Sequence, residues 1–394
     1  MLALAALLAV WSASERSHAA DELAVPIVYL NQEEDILPPL SLLEPILTDK
    51  GLVGARQAME ENRTTGQFLG HAYELVEVIV PRDGDLAAAF KEARAAGHGL
   101  FVADLHAEQL LALADLPEAS DALIFNTRAA DDRLRIQDCR ANLFHVMPSR
   151  AMKADALAQY LIWKQWRDWF LIHGTQEVDL AFSAAIERAA QKFGGKIVEK
   201  RPYEYVATAR RTDSGHVQIQ RQIPVFTQDA EDHDVVLVAD ESDIFGEYLA
   251  YRLWEPRPVA GTQGLIASAW HRSQEQWGAT QVQRRFHKFA GRWMTEPDYT
   301  AWLTVRILGE AVTRTTSADP TVLRDYLRSD EFEIAAFKGE GLTFRKWNQQ
   351  LRQPILIVGP RMLVSVSPQD QFLHQRTPLD TLGYDEPETD CSLE

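Results

Sequence analysis

The chain is poor in cysteine. Only two occur in 394 residues, Cys139 and Cys391, and no Cys-x-x-Cys pair exists. A zinc ribbon, an iron–sulfur site and a thioredoxin-like centre therefore have no support in the sequence. Positive charge is scarce as well: 40 Lys and Arg stand against 57 Asp and Glu, a formal net charge of -17. Nucleic acid, whose phosphates require a basic surface, is a poor partner for such a chain. The signatures of common catalysts are missing too. There is no Gly-x-Ser-x-Gly elbow, no His-Glu-x-x-His and no phosphate loop ending in Gly-Lys-Ser/Thr. The 11 His are scattered, with none forming a ligand-spaced pair on a helix face. Neither an enzymatic activity nor a cofactor is expected. Beyond the first residues, no apolar stretch approaches the roughly 20 residues that a spanning helix needs.

What is there begins at the N-terminus. Residues 2–10 are an unbroken run of Leu, Ala and Val, and Ser17-His18-Ala19 then places small residues where a signal peptidase inspects the chain. No Lys or Arg precedes the run. It is too short to cross a ~30 Å hydrocarbon core as a helix, so export with removal of residues 1–19 is expected. The alternative is a buried Ala/Leu helix. In an oxidising compartment the isolated pair Cys139 and Cys391 is expected to form one disulfide, the alternative being two buried thiols.

The body alternates between strands and helices. Strands are expected at 25–30, 73–80, 99–103 and 122–126, with helices at 51–62, 86–96 and 107–116 between them. After Arg150 the pattern restarts, with strands at 169–173, 196–199, 234–239 and 264–268 and helices at 152–165, 179–193 and 245–253. Continuous apolar strands separated by amphipathic helices imply parallel sheets covered on both faces. The fold class is therefore α/β, with two doubly wound lobes joined by a hinge. Helices at 281–293, 299–315 and 320–327 precede strands expected at 341–344, 354–358 and 362–366. The divisions read as lobe one at 20–150 and 272–330, lobe two at 151–271 and 331–375, and an acidic tail at 376–394.

Several segments carry a family resemblance. The helix opening Gly51-Leu52-Val53-Gly54-Ala55-Arg56, the crossover Phe144-His145-Val146-Met147-Pro148-Ser149 and the turn Gly341-Leu342-Thr343-Phe344 resemble the type 1 periplasmic substrate-binding proteins of the branched-chain amino acid-binding branch. A narrower set is similar to the ABC-transporter binding proteins associated with pyrroloquinoline quinone-dependent alcohol dehydrogenase systems. It comprises Asp138-Cys139-Arg140-Ala141-Asn142-Leu143, Arg211-Thr212-Asp213-Ser214-Gly215, Gly246-Glu247-Tyr248, Ala269-Trp270-His271-Arg272, Gln349-Gln350-Leu351-Arg352-Gln353-Pro354 and Leu379-Asp380-Thr381-Leu382-Gly383-Tyr384. The resemblance implies a periplasmic solute-binding component, a small-molecule ligand, a membrane permease as partner and a link to a periplasmic quinoprotein dehydrogenase. Two other roles stay open: a sensory or chaperone-like partner of that dehydrogenase, and a lanthanide or calcium carrier. The metal question is left unknown, because no compact Asp-x-Asp-x-Asp loop occurs.

Ligands of open α/β sheets lie beyond the carboxyl ends of the strands. That rule points to Asp104, Asn126 and Thr127 in lobe one, and to Thr175, Asp240, Glu241 and Trp270 in lobe two. Where amino acid binders carry a Ser/Thr-rich clamp, this chain has Asp104-Leu105-His106. An ionised carboxylate there only accepts hydrogen bonds, so the expected ligand is cationic, rich in hydroxyl or amine donors, or metal-bearing. The plainer reading of Asp240-Glu241 is a helix start before Phe245.

Overall fold

A computed structural model of the protein describes residues 22–35, 45–204 and 213–393. The leader-like run with its removal site, and Arg211 and Thr212, lie outside them. The first lobe is built from β1 (Leu23–Gln32), α1 (Leu52–Leu69), β2 (His71–Val80), α2 (Leu86–Ala95), β3 (Leu100–Asp104), α3 (Ala107–Ala114), β4 (Leu123–Asn126) and β5 (Leu143–His145). Its strands run parallel in the order β2-β1-β3-β4-β5. Every residue of β3 and β4 is buried, as strands covered on both faces by helices must be.

Ser149 then caps α4 (Arg150–Trp163) by accepting from the Met152 N–H, and the chain enters the second lobe. There follow β6 (Asp168–His173), α5 (Glu177–Phe193), β7 (Lys196–Pro202), α6 (Asp213–Phe226), β8 (Val235–Ala239), α7 (Gly246–Arg252), β9 (Val259–Gly261) and β10 (Leu265–Ser268). The chain returns through α8 (Ala279–Ala290), α9 (Glu296–Thr315) and α10 (Pro320–Leu327). Helix α9 lies against α1, and two glycines permit the close approach. A Cβ on Gly54 would stand 1.9 Å from the Asp298 carbonyl oxygen, and one on Gly309 would stand 2.4 Å from the Asn62 side chain.

The last crossing comes later than the sequence suggests. Strands β11 (Ile334–Ala335), β12 (Gly341–Phe344) and β13 (Leu351–Arg352) form a small antiparallel sheet of their own. Phe332, Leu342, Phe344 and Leu351 share the first lobe's core with Val25 and Phe125. Residues 331–352 therefore belong to lobe one, a correction to the expected boundary. Only β14 (Ile355–Gly359) and β15 (Met362–Ser367) complete the second sheet, ordered β15-β14-β10-β9-β8-β6-β7, with β14 antiparallel to both β10 and β15.

The acidic C-terminal segment is tied down along its length, beyond the one attachment that the expected disulfide provides. Leu382 is buried in the second lobe's core, and the Gly383 N–H donates to Asp155 of α4 at 2.8 Å. On the first-lobe side, Arg345 and Arg352 both reach Asp380, at 2.9 and 2.8 Å. Cys139 and Cys391 are joined by a disulfide, with Cα atoms 5.5 Å apart. The segment straps the two lobes together.

Candidate functional site in the cleft

A cleft of about 490 Å³ lies between the lobes, at the carboxyl ends of β4 and β8. The first lobe contributes the loop after β4, with Arg128 and Asp131, and the N-terminus of α9 at Glu296. The second contributes Arg150 and Lys153 of α4, Phe182 of α5, Glu241 after β8 and Ile266 of β10.

The charges in this cleft are organised by pairing. Arg128 donates to both oxygens of Glu34, at 3.0 and 2.8 Å, and His106 Nε2 stands 2.5 Å from the same carboxylate. That hydrogen bond from His106, helped by Arg128, holds the Glu34 carboxyl below its ordinary range. Arg150 donates to Glu241 at 2.7 Å and lies 3.4 Å from Asp131, so one guanidinium links acids of the two lobes. Lys153 meets Glu296 at 2.8 Å, a second ion pair across the join. Burial would raise the Glu296 carboxyl, but Lys153 and the Ala269 N–H outweigh it and hold the group ionised.

The residues expected at the site fall into three groups. Asp240 and Glu241 border the cleft. Asp240, however, spends its carboxylate on its own loop, accepting from the backbone N–H groups of Ile244 at 2.9 Å, Phe245 at 2.8 Å and Gly246 at 2.6 Å. It organises the start of α7, which is the plainer reading. Burial pushes its pKa up to about 6 despite those donors.

Asp104, Asn126 and Thr127 lie beneath the surface. Asp104 accepts from the Tyr29 hydroxyl at 2.6 Å, and burial raises its carboxyl. Asn126 accepts from the N–H groups of Arg128 and Ala129, shaping the turn that presents Arg128. Thr127 donates to the Ala103 carbonyl. These side chains position the cleft wall and leave the backbone of Ala129 and Ala130 to border the space.

Thr175 and Trp270 stand apart. Thr175 is exposed at the end of β6 and is not among the residues bordering the cleft. Trp270 belongs to the first lobe, not the second, and does not border this cleft. It is 2 % exposed and stacks on Tyr299 at 4.4 Å, within the first lobe's core.

Arg150, Lys153 and Glu296 were not singled out in the sequence. The crossover Met147-Pro148-Ser149 was visible, and a helix following it at the hinge was the available signal for Arg150 and Lys153. Among the described residues no group of three or more His, Cys, Asp or Glu side chains is placed to hold a metal ion.

No family model matches the chain, and no curated protein matches its sequence. Solved structures do share its architecture. A branched-chain amino acid ABC transporter periplasmic ligand-binding protein from Burkholderia xenovorans is 15% identical, covers 94% of this chain and 99% of its own, and superposes with a TM-score of 0.71. An ABC transporter substrate-binding protein from Sphaerobacter thermophilus gives 16% identity, 92% and 100% coverage and a TM-score of 0.69. The closed leucine-, isoleucine-, valine-, threonine- and alanine-binding protein from Brucella ovis gives 16% identity, 95% and 100% coverage and a TM-score of 0.66. The protein thus has the α/β fold of the type 1 periplasmic binding proteins, two lobes hinged about a cleft.

Proposed function

We propose that the protein is an exported solute-binding component of an ABC transporter, closing on a small ligand and delivering it to a membrane permease. The observation that carries this reading is the cleft itself, whose charged lining comes from both lobes. A ligand that touches Asp131 on one side and Glu241 on the other binds the closed state better than the open one. That difference in affinity drives closure.

The ligand class follows from the lining. Arg128, Arg150 and Lys153 each already face a carboxylate, whereas the acids outnumber them around the space. A ligand bearing amine or hydroxyl donors, with an apolar part against Phe182 and Ile266, fits this arrangement better than a bare anion. The Brucella ovis neighbour is named for leucine, isoleucine, valine, threonine and alanine. Here β3 ends in Asp104, buried beneath the wall, and the loop after it brings His106 to the cleft with no Ser/Thr clamp for a plain α-carboxylate. The link to quinoprotein alcohol oxidation rests on the sequence resemblance alone.

The test is ligand-induced compaction by small-angle scattering, with α-amino acids, diamines and polyols as probes. Calorimetry on Glu241→Gln and Asp131→Asn should show binding weakened about 10-fold or more for a donor-bearing ligand. Compaction with unchanged affinity in both variants would reject the assigned residues but keep the cleft. Failure of every probe to compact the protein would remove the transport reading and favour a dehydrogenase-partner role. Export is checked separately, by intact mass: protein from the native host should begin near Ala20, and a chain retaining residues 2–10 would defeat it.

A further inference from the structure

A second depression is shared by the lobes and adjoins the cleft at Ile266, Ser268 and Glu296. Two adjoining cavities of about 610 and 590 Å³ have Arg272 and Trp293 in common. The first-lobe side supplies these two residues, from the segments flanking α8. The second-lobe side supplies Arg361, in the turn between β14 and β15, bordering the larger cavity.

The chemistry here is the reverse of that in the cleft. In a chain with a net charge of -17, neither Arg272 nor Arg361 is paired with a carboxylate among the described residues. Among the described residues, the Arg272 guanidinium makes one hydrogen bond, at 3.3 Å to the Pro360 carbonyl. A single acid, Glu275, borders the larger cavity, and the two charged partners at the smaller one are already engaged: Arg292 with Asp298 at 2.6 Å, Glu296 with Lys153. Trp293 is 45% exposed, with the His287 ring packed against it at 4.6 Å.

At the floor, Trp270 borders the smaller cavity and is 2 % exposed, and its indole Nε1 has no hydrogen-bond partner among the described residues. His271, beside it, meets the Ser273 hydroxyl and N–H through Nδ1, at 2.7 and 3.2 Å.

We propose that this depression is a second ligand site, for a small planar molecule carrying a carboxylate, seated between Trp293 and the guanidinium groups of Arg272 and Arg361. A guanidinium matches a carboxylate in a bidentate manner, and an exposed indole offers a face for a flat ring. Because its walls come from both lobes, occupancy of this site is coupled to the angle between them. Its Arg272–Arg361 end is opposite in charge to the donor-binding cleft, with which the smaller cavity shares Ile266, Ser268 and Glu296.

Benzoate is the probe, with acetate and benzyl alcohol each carrying one half of the recognition. Calorimetry should show saturable benzoate binding below about 10 mM, and at least tenfold weaker binding of either half-probe. Arg272→Gln and Trp293→Leu, both on exposed or half-exposed positions, should each weaken benzoate about tenfold or more, with unchanged thermal melts as the check on folding. Arg361→Gln should do the same to a smaller degree. Absence of saturable benzoate binding overturns the site. So does binding that survives Arg272→Gln and Trp293→Leu but is lost in Glu241→Gln, because benzoate would then occupy the cleft.

Discussion

At the scale of single residues, the sharpest consequence belongs to a buried lysine at the join between the lobes. Lys338 is 1 % exposed, and its Nζ donates to Gln353 Oε1 at 2.7 Å and to the Pro354 carbonyl at 2.9 Å, both neutral. The ammonium lies 5.1 Å from the centre of the Tyr299 ring. Burial lowers its pKa from 10.5 to about 7, with Lys153 pulling the same way and Glu296 opposing. The folded protein therefore holds this proton less firmly than the unfolded chain. The charge weakens the fold fully below pH 7, and the penalty fades as pH rises from 7 toward 10.5. Over that window the slope approaches about 1.4 kcal/mol per pH unit. Urea titrations of the wild type and Lys338→Met at pH 7.5 and 9.5 isolate it, since the lost hydrogen bonds cost the variant equally at both. The wild type should gain on the variant toward alkaline pH. An equal gap at both values would show that the ammonium carries no penalty. Asp240 shows how far a residue can be read in advance. An acid after the apolar run of β8 is conspicuous, and both a cap and a binding acid suit that pattern. The choice depends on where the next N–H groups point, which is a matter of backbone torsion and has no signature in residue type.

At the scale of elements, the α1–α9 pair depends on two missing side chains. Gly54→Ala would push a methyl onto the Asp298 carbonyl, a backbone atom that cannot rotate away. The expected loss is about 2–4 kcal/mol, read as a lower melting temperature, with the cleft residues unchanged. Gly309→Ala meets a side chain, Asn62, whose amide also donates to the Val305 carbonyl at 2.8 Å, so its cost should be smaller. Comparable melts for both variants would show that the helices can part. The parallel strands were legible because their apolar runs are long and continuous: β3 and β8 fall almost where the sequence puts them. Strand β5 and helix α6 were not singled out, the first because three residues carry no periodicity and the second because Pro224 sits inside it. The strands β11 to β13 fooled the lobe assignment for a related reason. They are two to four residues long, and only tertiary contacts, such as Phe344 against Phe144 at 5.0 Å, say which core they join.

At the scale of the whole molecule, the chain passes between the lobes at residues 146–150, 268–271 and 352–355, and the C-terminal strap bridges the lobes once more. The strap is held at both ends. Lys192 and Arg188 of α5 grip the Gly383 carbonyl, both at 2.8 Å, while the disulfide fixes the far end to the first lobe. Opening the cleft must therefore either carry the strap along or strain it. Replacing both cysteines by serine should lower stability by about 2–5 kcal/mol in denaturant titrations. It should also widen the distribution of interlobe distances measured by scattering in the absence of ligand. A variant of wild-type stability with an unchanged distribution would reduce the strap to ornament. The two-lobed plan was legible from the alternation of elements. The disulfide end of the strap was legible from two isolated cysteines; its grip on the second lobe was not, because Leu379 and Leu382 are isolated apolar residues that only burial reveals.

The disulfide also makes the chain, from residue 139 to residue 391, a closed covalent ring that contains the entire second lobe. A single proteolytic cut anywhere inside that ring opens it without freeing a piece. The two products stay linked and migrate as one intact mass until a reductant is added. That topology keeps a singly nicked molecule covalently whole.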